Sequence, residues 1–189
     1  MQDDALHRHR RPAPRARALV AGLALLAATL AIDPLGAASP DYDSFYRPDD
    51  ARRAFAGVQH AAVTFPGGRV IAAEIADTRE REMYGYMYRP EVPEDEGMVF
   101  VYPESGWHSF WMKNTLVPLD ILWLDETFRI LHMETPAPPC KADPCPSFGP
   151  MRASRYVVET RAGTAAREGL KIGDRLGIVF PGAAGEKPR

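Results

Sequence analysis

The chain has 189 residues, with 23 Lys+Arg against 25 Asp+Glu and a formal charge of −2. This length allows one domain, or one domain with an extension. The near-neutral balance gives no basic footprint for nucleic acid. With 46% apolar and 25% charged residues, the chain is not disordered throughout, collagenous or a polytopic membrane protein. Its 18 prolines and 15 glycines favour a turn-rich β fold over a helix bundle.

The start of the chain differs from the rest. Arg8, Arg10, Arg11, Arg15 and Arg17 precede an apolar run from Ala18 to Ile32, followed by Pro34 and the small residues Gly36, Ala37 and Ala38. Basic, apolar, then small is the order of a secretory signal peptide. We expect a leader over 1–38 that is cleaved after Ala38; a retained anchor is the alternative. The apolar run falls short of the roughly 20 residues that span a bilayer. The leader carries five Arg and three Asp, so residues 39–189 hold 18 basic and 22 acidic side chains, net −4. The expected product is an exported monomer, periplasmic or extracellular, with no nucleic-acid partner and no membrane contact after cleavage.

Residues 39–58 are polar and read as an exposed lead-in, with one helical turn from Asp49 or Asp50 through Phe55. Residues 60–65 and 69–76 flank Pro66-Gly67-Gly68 and predict a hairpin. Asp77 with Glu80 predicts an N-cap and a short helix to about Met87. Further strands are expected at 97–102, 107–112, 119–125, 128–134, 154–160 and 174–180. A helical turn is expected over 164–168, a loop over 135–150, and a tail over 182–189. These elements predict a mainly β fold over 59–181: a compact β-sandwich or jelly-roll-like domain with one or two short helices.

Cys140 and Cys145 lie in the exported part, where a close pair forms a disulfide by default. Closing so short a loop contributes about 2 kcal/mol in the chain-entropy model. Their spacing is not that of a C-x-x-C redox pair. A metal site needs more ligands nearby, so neither a metal nor a cofactor is expected.

The densest stretch runs from Trp107 to Thr115, followed by Pro118-Leu119-Asp120. As a strand it places Trp107, Ser109, Trp111 and Lys113 on one face and His108, Phe110, Met112 and Asn114 on the other. Apolar bulk on both faces predicts burial in the middle of the fold. Two readings follow. In one, Asn114 and Thr115 hold a turn and Lys113 pairs with Asp120. In the other, Lys113, Asn114 and Asp120 converge on a pocket rim with Trp107 and Trp111 as walls. Arg79 and Arg89 either grip an anion at that rim or lock a buried Glu159 or Asp120 in the fold.

The chain resembles the DUF192 family of prokaryotic proteins, whose function is not established. The resemblance is carried by Glu74-Ile75-Ala76, Gly85-Tyr86-Met87-Tyr88-Arg89 and Gly97-Met98-Val99-Phe100. It continues through Phe110-Trp111-Met112-Lys113-Asn114-Thr115, Pro118-Leu119-Asp120 and Tyr156-Val157-Val158-Glu159. Tyr86 departs from the family pattern, where Leu is usual. The resemblance implies a compact β-sandwich, often exported, and no activity. The expected function is binding of a small polar or anionic ligand, or of an envelope protein. One alternative is an enzyme acting on envelope carbohydrate or ester, with Asp120 or Glu159 as acid or base and Lys113 as electrostatic stabiliser. The other is an accessory protein without a small ligand.

Overall fold

The structure is a computed structural model of the chain, and it describes residues 45–182. The expected leader over 1–38 and most of the expected tail lie outside the described residues.

The first hairpin forms as its turn chemistry dictates. β1 (His60–Thr64) and β2 (Val70–Ala76) pair antiparallel, Thr64 opposite Val70. Gly68 takes φ 90° in the turn and donates its N–H to Phe65 O at 2.9 Å. A right-handed β-turn residue with a side chain would resist that φ.

β2 then pairs parallel with β3 (Glu96–Gly106), so the chain must cross over between them. The crossover holds α2 (Arg79–Tyr84), for which α1 (Pro48–Ala54) is the neighbouring helix. Thr78, not Asp77, is the N-cap of α2: its hydroxyl accepts from the Arg81 N–H at 3.3 Å. The helix ends at Tyr84, three residues before Met87, because Gly85 leaves helical geometry at φ 46° and ψ −129°. Arg81 ties the helices together, donating to Ala54 O at 2.9 Å and pairing with Asp77 at 2.9 Å.

β4 (Phe110–Trp111) and β7 (Ser147–Phe148) form a separate two-stranded ribbon. β5 (Leu119–Leu124), β6 (Ile130–Ala137), β8 (Ser154–Arg161) and β9 (Gly177–Val179) complete the main sheet. α3 (Thr164–Arg167) lies between the last two. The seven strands run in the order β6-β5-β8-β3-β2-β1-β9. The sheet curls until residues 128–130 meet 173–176, with Ile130 N–H to Asp174 O at 2.8 Å and Gly173 N–H to Ile130 O at 2.8 Å.

Curling makes two cores. Inside the curl, Phe65, Ile71, Val99, Leu122, Leu124 and Val158 pack together. On the outer face, Met98, Phe100, Ile121, Trp123 and Val157 pack under the crossover and the ribbon. Every residue of β5 is buried, as its unbroken run of large side chains requires of a strand covered on both faces.

The mainly β expectation holds, with three short helices among the described residues. The 107–112 strand does not. Only Phe110–Trp111 is strand, β3 runs on to Gly106, and Trp107 is 69% exposed. Its alternating pattern belongs to a strap laid across the sheet: Phe110 meets Phe100 edge-on at 4.8 Å. Trp123 Nε1 donates to His108 O at 2.8 Å. The expected 135–150 loop yields to the end of β6 and to β7.

Candidate functional site

One row across the outer face sets the site. Glu74 on β2 lies opposite Met98, Met98 opposite Glu159 on β8, and Glu159 opposite Ile121. Glu159 therefore points at the crossover and strap, 4% exposed. Its Oε2 has no hydrogen-bond partner among the described residues. Burial raises its pKa to about 8, with the Arg89 charge pulling the other way. Near neutral pH this carboxyl is mostly protonated.

Above it lies a cavity of about 160 Å³. Gly85, Tyr86 and Glu82 come from α2 and its exit, Phe100 and Tyr102 from β3, and Trp111 from the strap. Tyr46 completes the wall, its ring edge-on to Tyr84 at 6.0 Å and to Trp111 at 6.0 Å. Burial drives the hydroxyls of Tyr86 and Tyr102 far above the ordinary phenol range. It also raises Glu82, helped by the charge of Asp77.

Of the candidate ligand-binding residues Arg79, Arg89, Trp107, Trp111, Lys113, Asn114, Asp120 and Glu159, the cavity brings together Trp111 and Glu159. Arg89 stands behind Tyr86. It pairs with Glu74 at 2.6 Å, with its guanidinium 4.7 Å from the Phe55 ring centroid and 5.0 Å from that of Tyr86. Arg79 is exposed on α2. Trp107 lines a separate groove with Phe148 and Met151.

Lys113 does not pair with Asp120. Lys113 Nζ reaches Asp143 Oδ2 at 2.5 Å, in the loop closed by the Cys140–Cys145 disulfide, where the two Cα atoms are 5.6 Å apart. Asp120 points the other way, into the end of the curl. Its Oδ2 accepts the Ala165 N–H at 2.8 Å. Burial raises its pKa, and the N–H groups of Ala165, Gly163 and Thr164 oppose the rise. Asn114 adopts φ 56° and donates from Nδ2 to the Tyr88 hydroxyl at 2.7 Å. That hydroxyl donates in turn to Tyr46 O at 2.6 Å. Asn114 and Asp120 thus hold the fold.

Cys140, Asp143 and Cys145 bring their donor atoms within 4.8 Å. The disulfide ties up both sulfurs, and Asp143 serves Lys113.

Glu82, Gly85, Tyr86 and Tyr102 are site residues the sequence reading missed. Gly85 and Tyr86 stood within the family-like run, but only the crossover fold carries them over Glu159.

None of the curated proteins matches this chain. Solved structures that share its fold include the following two. A protein of unknown function from Novosphingobium aromaticivorans is 30% identical, with a TM-score of 0.57, covering 64% of this chain and 84% of its own. A "putative transcription regulator" from Sinorhizobium meliloti is 31% identical, with a TM-score of 0.56, covering 64% and 92%. The profile of DUF192, described as uncharacterized ACR, matches residues 62–178. The chain belongs to the DUF192 family.

Proposed function

We propose that the domain binds a compact small molecule in the cavity over Glu159. The observation that supports this is the buried carboxyl itself: a polar group out of water and without a partner is unfavourable, and a ligand with a hydrogen-bond donor would satisfy it. Aromatic walls with a few directed polar groups are the usual make-up of small-ligand sites. The reading shifts the site from the expected rim to the Glu159 cavity. A ligand donor would meet the carboxylate form of Glu159, and no Lys, Arg or His lines the wall among the described residues.

Thermal melting of the oxidised chain against sugars, organic acids, phosphates and amines tests this. A ligand at 100 times its Kd stabilises by about 2.7 kcal/mol, which raises Tm by roughly 5–10 °C in a domain of this size. The shift is expected in Lys113→Ala and absent in Glu159→Gln. A flat panel would return the weight to an envelope partner.

A second reading, proton transfer, is favoured by Glu82 sharing the cavity with Glu159, whose pKa of about 8 suits a general acid at neutral pH. It predicts that Glu159→Gln loses turnover while keeping affinity for the same substrate.

Export completes the proposal. The basic-apolar-small order of residues 1–38 and the Cys140–Cys145 disulfide support it. Among the described residues, no helix is long and apolar enough to cross a membrane. Cell fractionation with an N-terminal sequence starting at Ser39 is the expected result; full-length protein in the cytoplasm would contradict it.

A further inference from the structure

We infer that the occupant of the Glu159 cavity is an organic cation, an amine or quaternary ammonium whose charged head of about seven heavy atoms enters the cavity. This rests on the small-ligand reading above and names its chemistry.

Size comes first. A cavity of about 160 Å³ is close to one of roughly 150 Å³ that takes benzene. It takes about six or seven heavy atoms inside, and it opens to solvent on one side. Wall chemistry comes second. Tyr46, Tyr84, Phe100, Tyr102 and Trp111 line the space, and aromatic faces attract cations through the ring quadrupole, best when water is excluded.

Charge comes third. Glu82 and Glu159 line the cavity, and no Lys, Arg or His does among the described residues. The nearby cation, Arg89, is held by Glu74 at 2.6 Å and lies 5.0 Å from the Tyr86 ring centroid. Its positive charge is shared with the Glu74 carboxylate, and it offsets only part of the burial that raises Glu159. An anion would face two carboxyl groups and no donor cation. An ammonium group would add a counter-charge and a donor at Glu159, whose Oε2 is buried without a hydrogen-bond partner among the described residues.

Binding is then linked to a proton. Glu159 titrates at about 8 in the free protein, raised by burial and lowered by Arg89. Glu74 on β2, Glu96 at the start of β3, Glu82 on α2 and the hydroxyls of Tyr46, Tyr84, Tyr86 and Tyr102 are other titratable groups around this face. An ammonium ion binds the carboxylate form of Glu159 and expels its proton. Affinity therefore rises with pH up to about 8 and then levels.

The test is calorimetric titration of the oxidised chain at constant ionic strength. The probes are choline and its uncharged isostere 3,3-dimethylbutan-1-ol, with methylamine and acetate alongside. Choline or methylamine is expected to bind, with choline at least tenfold tighter than the isostere at pH 8.5. Cation affinity is expected to fall by about tenfold per pH unit below pH 8, with proton release. Glu159→Gln is expected to remove the preference; the wild-type comparison stands even where that variant folds poorly. Equal binding of choline and its isostere overturns the cation assignment and leaves the small-ligand site standing. Binding of acetate alone does the same. No heat from any probe, with a flat melting panel, overturns both.

Discussion

Gly85 lies directly over the Glu159 carboxyl. A methyl group on its Cα would stand 3.5 Å from Glu159 Oε2 and 3.2 Å from Phe100 Cζ. The glycine is also required by its backbone, at φ 46°. One residue therefore ends α2 and leaves open the space above the carboxyl. Gly85→Ala should destabilise the fold by about 1–3 kcal/mol through its backbone conformation alone, read in urea unfolding. It should also abolish any ligand-induced rise in Tm. A variant that retains the full ligand shift would place the ligand elsewhere.

Glu159 makes stability depend on pH. Its folded pKa of about 8 lies above the ordinary 4.5, so the folded state holds a proton that the unfolded chain releases between those values. Stability is full below pH 4.5 and declines as pH rises to about 8. The decline from this group is on the order of a few kcal/mol. Glu159→Gln should flatten it, so that Tm at pH 8 exceeds wild type while the two agree near pH 4. Parallel pH profiles would show that the carboxyl is not buried as described.

Asp120 is a structural residue. Its carboxylate accepts the Ala165 N–H and so holds α3 to β5. Asp120→Ala should lose about 1.5–3 kcal/mol, the range for a hydrogen bond to a charged group. Ligand affinity of the folded variant should be unchanged. Asp120→Asn keeps an acceptor and should lose less. Denaturant melts with ligand titration separate the two effects, and lost affinity with intact stability would restore Asp120 to a binding site.

Asn114 and Tyr88 fasten the turn after the strap to the crossover. Both have positive φ, 56° and 64°, and Tyr88 N–H donates to Asn114 O at 2.9 Å. Asn tolerates this region better than other side chains. Asn114→Ala should lose about 2 kcal/mol, combining backbone strain with a hydrogen bond. Asn114→Gly should recover the backbone part. A double-mutant cycle with Tyr88→Phe should give a coupling near 1 kcal/mol; zero coupling would mean the bond adds nothing.

Local chemistry made much of the sheet legible. Pro66-Gly67-Gly68 is a turn wherever it occurs, and β5 carries apolar residues on both faces. Apolar bulk on both faces of Trp107–Met112 predicts a central strand, but it also fits a strap that lays Phe110 and Met112 on the sheet and leaves Trp107 exposed. The Lys113–Asp120 pairing failed for a related reason. Residues 112–118 turn the chain, so that Lys113 faces the disulfide loop while Asp120 reaches the N–H of Ala165 on α3. Glu159 stood out in the sequence as one carboxylate among several. Its distinction comes from burial under α2, Phe100 and Trp111, contacts between segments about 50 to 80 residues away along the chain. No local pattern encodes such a cavity.

The most direct test of the Glu159 site is a pH titration of its side-chain carboxyl by NMR, in the free protein and with saturating choline. A midpoint near 8 in the free protein, moved downward by at least one unit with choline, is the predicted result. A midpoint near 4.5 that choline leaves in place would contradict both the buried carboxyl and its role as the ligand's anchor.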